Sequence, residues 1–278
     1  MKRTTLILFT ILAWTTLQAQ PLQTEMSSTA LYRPMEQTRF FTIGDRRLPV
    51  KILQFGPANG IVYINLHDNE NSSVEAAMVV LEQQGGTLIK IENNNQRVIS
   101  FRLQGQTYRF DPNRIYSRSG IEQTLRENRR YHPQAVKMID QFAQEFLTLI
   151  PDSTHCVIAL HNNTDEAYSV KSYMPGHERA RDAMFVYCDS LQDVDDIFFT
   201  TDSAIYNAMA GYGYNAICQD NEKVKKDGSL SVYFGQIGRR YVNLETEHGR
   251  TGPYLEMLNR LVGWLETLRK TPEGENRP

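Results

Sequence analysis

The sequence is short of several features that would assign it quickly. Cysteine is scarce: Cys156, Cys188 and Cys218 are the three in 278 residues. That low, odd number excludes a small disulfide-stapled scaffold and leaves a hydrophobic core to hold the fold. One bridge, Cys188 to Cys218, is compatible with export, but all three cysteines lie in apolar runs and read as buried free thiols. No G-x-S-x-G occurs, which removes the serine-hydrolase elbow, and no cysteine sits in the polar setting that a nucleophilic thiol needs. Long basic runs are missing too. With 30 Lys and Arg against 32 Asp and Glu, and a net charge of −2, the chain has no footprint for a nucleic acid. Internal repeats and low-complexity linkers are absent from residues 20–278.

What is present begins with a leader. Lys2 and Arg3 precede an apolar run from about Leu6 to Leu17, and Ala19 follows it. This order predicts a secretory signal peptide over residues 1–19. The run is shorter than the roughly 20 residues that cross a bilayer. No Cys follows it to carry a lipid, so no stable membrane anchor is expected after cleavage. The expectation is a periplasmic or secreted bacterial protein. Residues 20–278 suit a single α/β domain with a polar tail from about 271.

Strand and helix patterns alternate along that domain. "FFTIG" and "LPVKILQFG" read as a hairpin about "DRR". "GIVYINLHD" is apolar enough for a strand buried on both faces. "SSVEAAMVVLEQQGG" reads as a helix that starts on Ser and stops on Gly. "TLIKIE" and "RVISFRL" are further strands, with "NNNQ" as the turn between them. Two helices follow, over about 119–130 and 132–150. The second carries an apolar stripe of Val136, Ile139, Phe142, Phe146 and Ile150. Strands are expected at "CVIALHNN", near 184–188, 195–200 and 215–218, and at "RRYVNLETEHG", with helices near 203–211 and over "PYLEMLNRLVGWLETLRK". This alternation predicts a three-layer α/β/α fold around a mostly parallel mixed sheet, with ligands gathered beyond the carboxyl ends of the strands.

Two apolar strands end in histidine, at His67 and His161, and Glu70 follows His67 by three. A topology that brings those strand ends together brings two imidazoles and a carboxylate together. That donor set recurs in catalytic zinc sites, where zinc lowers the pKa of a water to about 7. H-x-x-E alone recurs by chance; two strand-terminal histidines in an α/β chain are more specific. A third strand end, "YRFDPNRIYS", supplies Asp111, Asn113 and Arg114.

In this order, "HDNE", "DPNR", the strand-terminal "HNNT" and a late strand-borne Glu resemble the motifs of the zinc carboxypeptidase superfamily. That superfamily includes metallocarboxypeptidases and the succinylglutamate desuccinylase/aspartoacylase deacylases. The match covers about residues 60–250. The resemblance implies zinc on His67, Glu70 and His161, with Asp111 accepting a hydrogen bond from the His67 ring. It implies that Asn113 and Arg114 hold a substrate carboxylate, a task that suits a guanidinium's paired donors. The ordinary alternative for Arg114 is a salt bridge to a nearby acid. The resemblance also implies a general base on a late strand, either Glu245, in an E-T pattern, or Glu247, in an E-x-G pattern. Period two places both on one strand face; the adjacent His248 reads as a loop residue.

The chain departs from the family pattern at Asp68, which stands where Gly is common and would add negative charge beside the metal. Arg97, Arg102 and Arg109 are the positional candidates for an arginine that polarises the scissile carbonyl. No tyrosine is identified as a substrate contact. "HNNTDEAYSVKSY" and "QDNEKVKKDGS" are expected to shape the pocket. The implied function is zinc-dependent hydrolysis of an amide bond next to a carboxylate, in a cell-wall or other small peptide or in an N-acyl amino acid. A non-catalytic carbohydrate- or peptide-binding protein on the same fold is the competing class, and zinc content separates the two.

Overall fold

The computed structural model describes residues 31–164 and 168–270. The expected signal peptide and the tail from about 271 lie outside them. The chain runs through β1 (Pro34–Ile43), β2 (Arg46–Phe55), β3 (Ile61–Asn65), α1 (Asn71–Gln84), β4 (Gly86–Ile91), β5 (Ile99–Leu103), β6 (Gln106–Phe110), α2 (Arg118–Glu127) and α3 (Pro133–Leu147). It continues through β7 (Cys156–Asn163), β8 (Ala183–Tyr187), β9 (Ile197–Thr200), α4 (Ser203–Gly211), β10 (Ala216–Gln219), α5 (Leu230–Gln236), β11 (Tyr241–Glu247) and α6 (Thr251–Lys270).

Among the described residues, nine strands form one mixed sheet in the order β1-β2-β4-β3-β7-β11-β9-β10-β8. Its centre is the parallel run β4-β3-β7-β11. The expected first hairpin is present and longer than predicted, with β1 beginning at Pro34. Every residue of β3 and β7 is buried, including the polar Asn65, His161, Asn162 and Asn163 at their carboxyl ends. Helices cover both faces. On one, α1, α4 and α6 pack Ala76, Val80, Ile205, Met209, Tyr254 and Leu258 against the sheet. On the other, α2, α3 and α5 bury Ile121, Leu125, Val136, Ile139, Phe142 and Phe234. The predicted stripe of α3 is thus the buried one, and His132 with Pro133 starts that helix. No described helix is long and apolar enough to cross a membrane.

Two local readings differ from expectation, and one segment not assigned from the sequence forms a helix. β4 and β5 do not pair through "NNNQ"; β5 instead forms a separate two-stranded hairpin with β6. Asn94 and Asn95 both take positive φ, which turns the chain out of the sheet plane. "SLSVYFG" contains α5, capped by the Ser229 hydroxyl, which accepts from Val232 N–H. All three cysteines are free, and of these Cys188 is only half-buried.

Candidate metal centre

The centre forms beyond the carboxyl ends of β3 and β7, which pair in parallel. His67 lies two residues past β3, and His161 lies within β7; both are buried. Glu70 directly precedes α1, where the free N–H groups of a helix start favour negative charge. Asn162 fastens the two segments together. Its side-chain oxygen accepts from Ser72 Oγ and from Ser73 N–H, each at 3.0 Å. The end of β7 is therefore bonded to the first turn of α1, with His161 next to one side of that link and Glu70 close to the other.

His67 Nε2 is 2.8 Å from Asp111 Oδ1. As the donor of that bond, Nε2 carries the proton and leaves the Nδ1 lone pair facing inward. There it meets Glu70 Oε1 at 2.9 Å and His161 Nδ1 at 3.3 Å, while Glu70 Oε2 lies 2.8 Å from His161 Nδ1. One ligand atom from each of His67, Glu70 and His161 falls within 4.8 Å of the others. Acceptor lone pairs crowded in this way repel unless a cation sits among them. A proton can serve: burial disfavours the His67 imidazolium, but Glu70 and Asp111 outweigh it and raise the pKa to about 9. Burial likewise opposes ionisation of Glu70, and His67 and His161 reverse it, so the carboxyl is held well below its usual range. Two inward imidazole nitrogens and one carboxylate are the donor set that suits zinc. His67, Glu70 and His161 fit that ion.

Asp111, the partner of the His67 ring, is itself held in place. It follows β6, accepts from Asn113 N–H at 2.7 Å, and its own N–H donates to Thr124 Oγ1. Burial opposes its charge, yet His67 and Arg97 keep its pKa depressed. Of the three candidate arginines, Arg97 reaches the centre. It donates to Glu70 and its Nη2 lies 3.5 Å from Asp111 Oδ2. Arg102 and Arg109 are exposed on the β5–β6 hairpin.

A cavity of about 900 Å3 opens over the centre. Asn113 and Arg114 line it, but both also have partners in its wall. Asn113 Oδ1 accepts from Leu230 N–H at 3.0 Å; Arg114 Nε lies 3.6 Å from Asp227, and its Nη1 donates to Asn113 O. The ordinary reading of Arg114, a salt bridge, is therefore partly present. Glu245 and Glu247 share a strand face, as expected, but differ in setting. Glu245 is the register partner of His161, is buried and lines the cavity; Glu247 pairs with Asn163 and is half-exposed. Burial raises the Glu245 pKa, the Glu70 charge adds to this, and His161 and Asn243 work against it.

The expectation for Asp68 is corrected. It does not add charge beside the metal centre. It points to the other side of its loop, where Lys90 donates to it, as do Asn93 N–H at 2.7 Å and Asn95 N–H at 2.8 Å. Burial opposes its ionisation, but these donors win and lower its pKa. Both predicted loops do reach the cavity, through Thr164, Tyr168 and Tyr173 and through Val224, Lys225 and Asp227. Tyr168 and Tyr173 lie in the first of these loops, Tyr173 closing a short 3-10 turn, whereas Arg179 lies beyond both expected segments.

No family profile matches the sequence, and no curated protein sequence matches it. Solved structures similar to it include an aspartoacylase family protein from Mesorhizobium loti, at 12% identity and a TM-score of 0.43 over 83% of this chain and 66% of that one. Bovine thrombin-activatable fibrinolysis inhibitor, in complex with tick carboxypeptidase inhibitor, is similar at 9% identity and 0.46 over 86% and 92%. The murein-tripeptide amidase MpaA from Escherichia coli O157 is similar at 12% and 0.40 over 85% and 93%. This chain spans just under two thirds of the length of the Mesorhizobium protein.

Proposed function

We propose that this chain is an exported zinc-dependent hydrolase of an amide bond next to a carboxylate. Peptides, including those of the cell wall, are its first substrate class, and N-acyl amino acids its second. The observation that carries this reading is the convergence of His67 Nδ1, His161 Nδ1 and both Glu70 oxygens on one point, with Glu245 beside it. A cavity of about 900 Å3 is at the upper end of small-molecule sites and favours a peptide over a single acylated amino acid.

His67, Glu70 and His161 would hold the ion. Bound there, zinc supplies Lewis acidity that polarises a carbonyl and acidifies water. The other roles belong to the chain's own groups. Asp111 keeps the His67 proton on Nε2, so that Nδ1 stays a ligand atom. Glu245 takes a proton from the attacking water and gives it to the departing amine, and its raised pKa suits a group that must do both. Arg97 stands beside Glu70, where an oxyanion would develop. Asn113 and Arg114 orient the carboxylate next to the scissile bond.

Metal analysis of the protein and of His161→Ala tests the reading. About one zinc per chain is expected, lost in the variant, together with hydrolysis of peptides or N-acyl amino acids by the parent alone. A chain without zinc that still binds peptides would replace the hydrolase with a non-catalytic binder.

A further inference from the structure

The cavity wall contains a cation that no motif marks. Arg179 lies over two tyrosine rings, its Cζ 5.1 Å from the Tyr168 centroid and 5.9 Å from that of Tyr173. The two rings meet edge to face at 88°, and their hydroxyls are 2.7 Å apart. Tyr173 is buried and packs on Phe199 of β9, so the pair is anchored to the sheet. The guanidinium is held against both rings and also hydrogen-bonds the Tyr173 hydroxyl, so its position over the pair is fixed.

The three cavity arginines differ in what surrounds them. Arg97 is engaged by Glu70 and Asp111, and Arg114 by Asp227 and the Asn113 carbonyl. Among the described residues, the carboxylate paired with Arg179 is its neighbour Glu178, which is 79% exposed and 3.4 Å from Nε. A solvated acid at that distance contributes little and is readily displaced. Tyr168, Tyr173, Arg179 and Glu245 all line the same cavity.

We propose that Arg179, braced on Tyr168 and Tyr173, binds a second substrate carboxylate remote from the scissile amide and so determines specificity. This rests on the hydrolase reading for the position of the amide. The anion subsite itself stands on the platform alone.

Titration calorimetry on the full chain tests it, with the straight-chain diacids from succinate to pimelate and their monoamides as probes. At least one diacid should bind about tenfold more tightly than its monoamide. Arg179→Met, which keeps the stem over the rings, should abolish that preference, and Arg179→Lys should retain part of it. Equal affinity for every diacid and its monoamide would overturn the proposal, as would a preference that survives in Arg179→Met. Zinc content of the same samples separates the two readings. Zinc present with no Arg179-dependent preference overturns the subsite alone. Zinc absent with such a preference overturns the hydrolase reading and leaves the subsite standing.

Discussion

Glu245 faces His161 across the parallel β7–β11 pair as its register partner, so a buried acid and a candidate ligand sit side by side on adjacent strands. Glu247, one pleat further on, faces Asn163 instead. The two glutamates that the motif left equivalent are therefore distinguished by one step along a strand.

That step gives the first prediction. Glu245→Gln should lower kcat by about 10²–10⁴, the range for loss of a general acid–base group. Glu247→Gln should stay within a few fold of the parent. Steady-state kinetics on a substrate found by peptide screening decides it, and the reverse ranking would transfer the role to Glu247.

Asp68 supports the centre from behind. Its carboxylate holds the turn in which Asn94 and Asn95 adopt positive φ, and Arg97 follows directly. Asp68→Asn should cost about 1–3 kcal/mol in stability through the weakened donors. It should also lower activity while leaving zinc content unchanged. A variant that lost zinc instead would show that the residue acts on the ligands themselves.

Gly120 and Gly228 touch through their backbones. A Cβ on Gly120 would fall 2.6 Å from Gly228 Cα and 2.6 Å from Arg114 O, both unable to rotate away. Gly120→Ala should therefore destabilise the fold by about 1–3 kcal/mol, as overpacking does, and weaken substrate binding by displacing the Asp227 loop. Chemical denaturation and KM read the two effects, and an unchanged KM would separate the seam from the cavity.

Asp196 makes stability depend on pH. Burial, with Asp193, Asp195 and Glu247 nearby, raises its pKa from 3.8 to about 6 against the pull of Arg250. The protonated form is thus favoured by folding. The resulting stabilisation is complete below about pH 3.8 and is lost as pH rises through about 6, with an upper size of ~3 kcal/mol. Thermal melts from pH 4 to 7 should show a slope that Asp196→Asn reduces. The same slope in both proteins would assign it to other groups.

The sequence made the centre legible because strand-terminal positions in an α/β chain are constrained by topology. His67 and His161 each follow a largely apolar run, and parallel pairing of those runs leaves their ends together. Glu70 followed from its short spacing after His67, and Asp111 from the motif resemblance at another strand end. Arg179 was not legible, and Tyr168 and Tyr173 only as members of a loop expected to shape the pocket, since such short segments have no period to read. Asp68 was misplaced for a related reason. Which way a turn residue points depends here on Lys90, a strand away in sequence. The separate β5–β6 hairpin was hidden because two adjacent strand patterns look the same whether or not the turn between them lets them pair.

The contact between Gly120 and Gly228 also has a meaning for anyone wishing to redesign this enzyme candidate. The segment 221–227 runs into that seam and is also held by the bond from Lys225 N–H to the Asp182 carboxylate. Glu222, Lys225 and Lys226 are exposed, and Lys225 also lines the cavity. A combinatorial library restricted to those three positions would alter the mouth of the site while sparing the scaffold. One that admitted changes at either glycine would fill with clones that fail to fold.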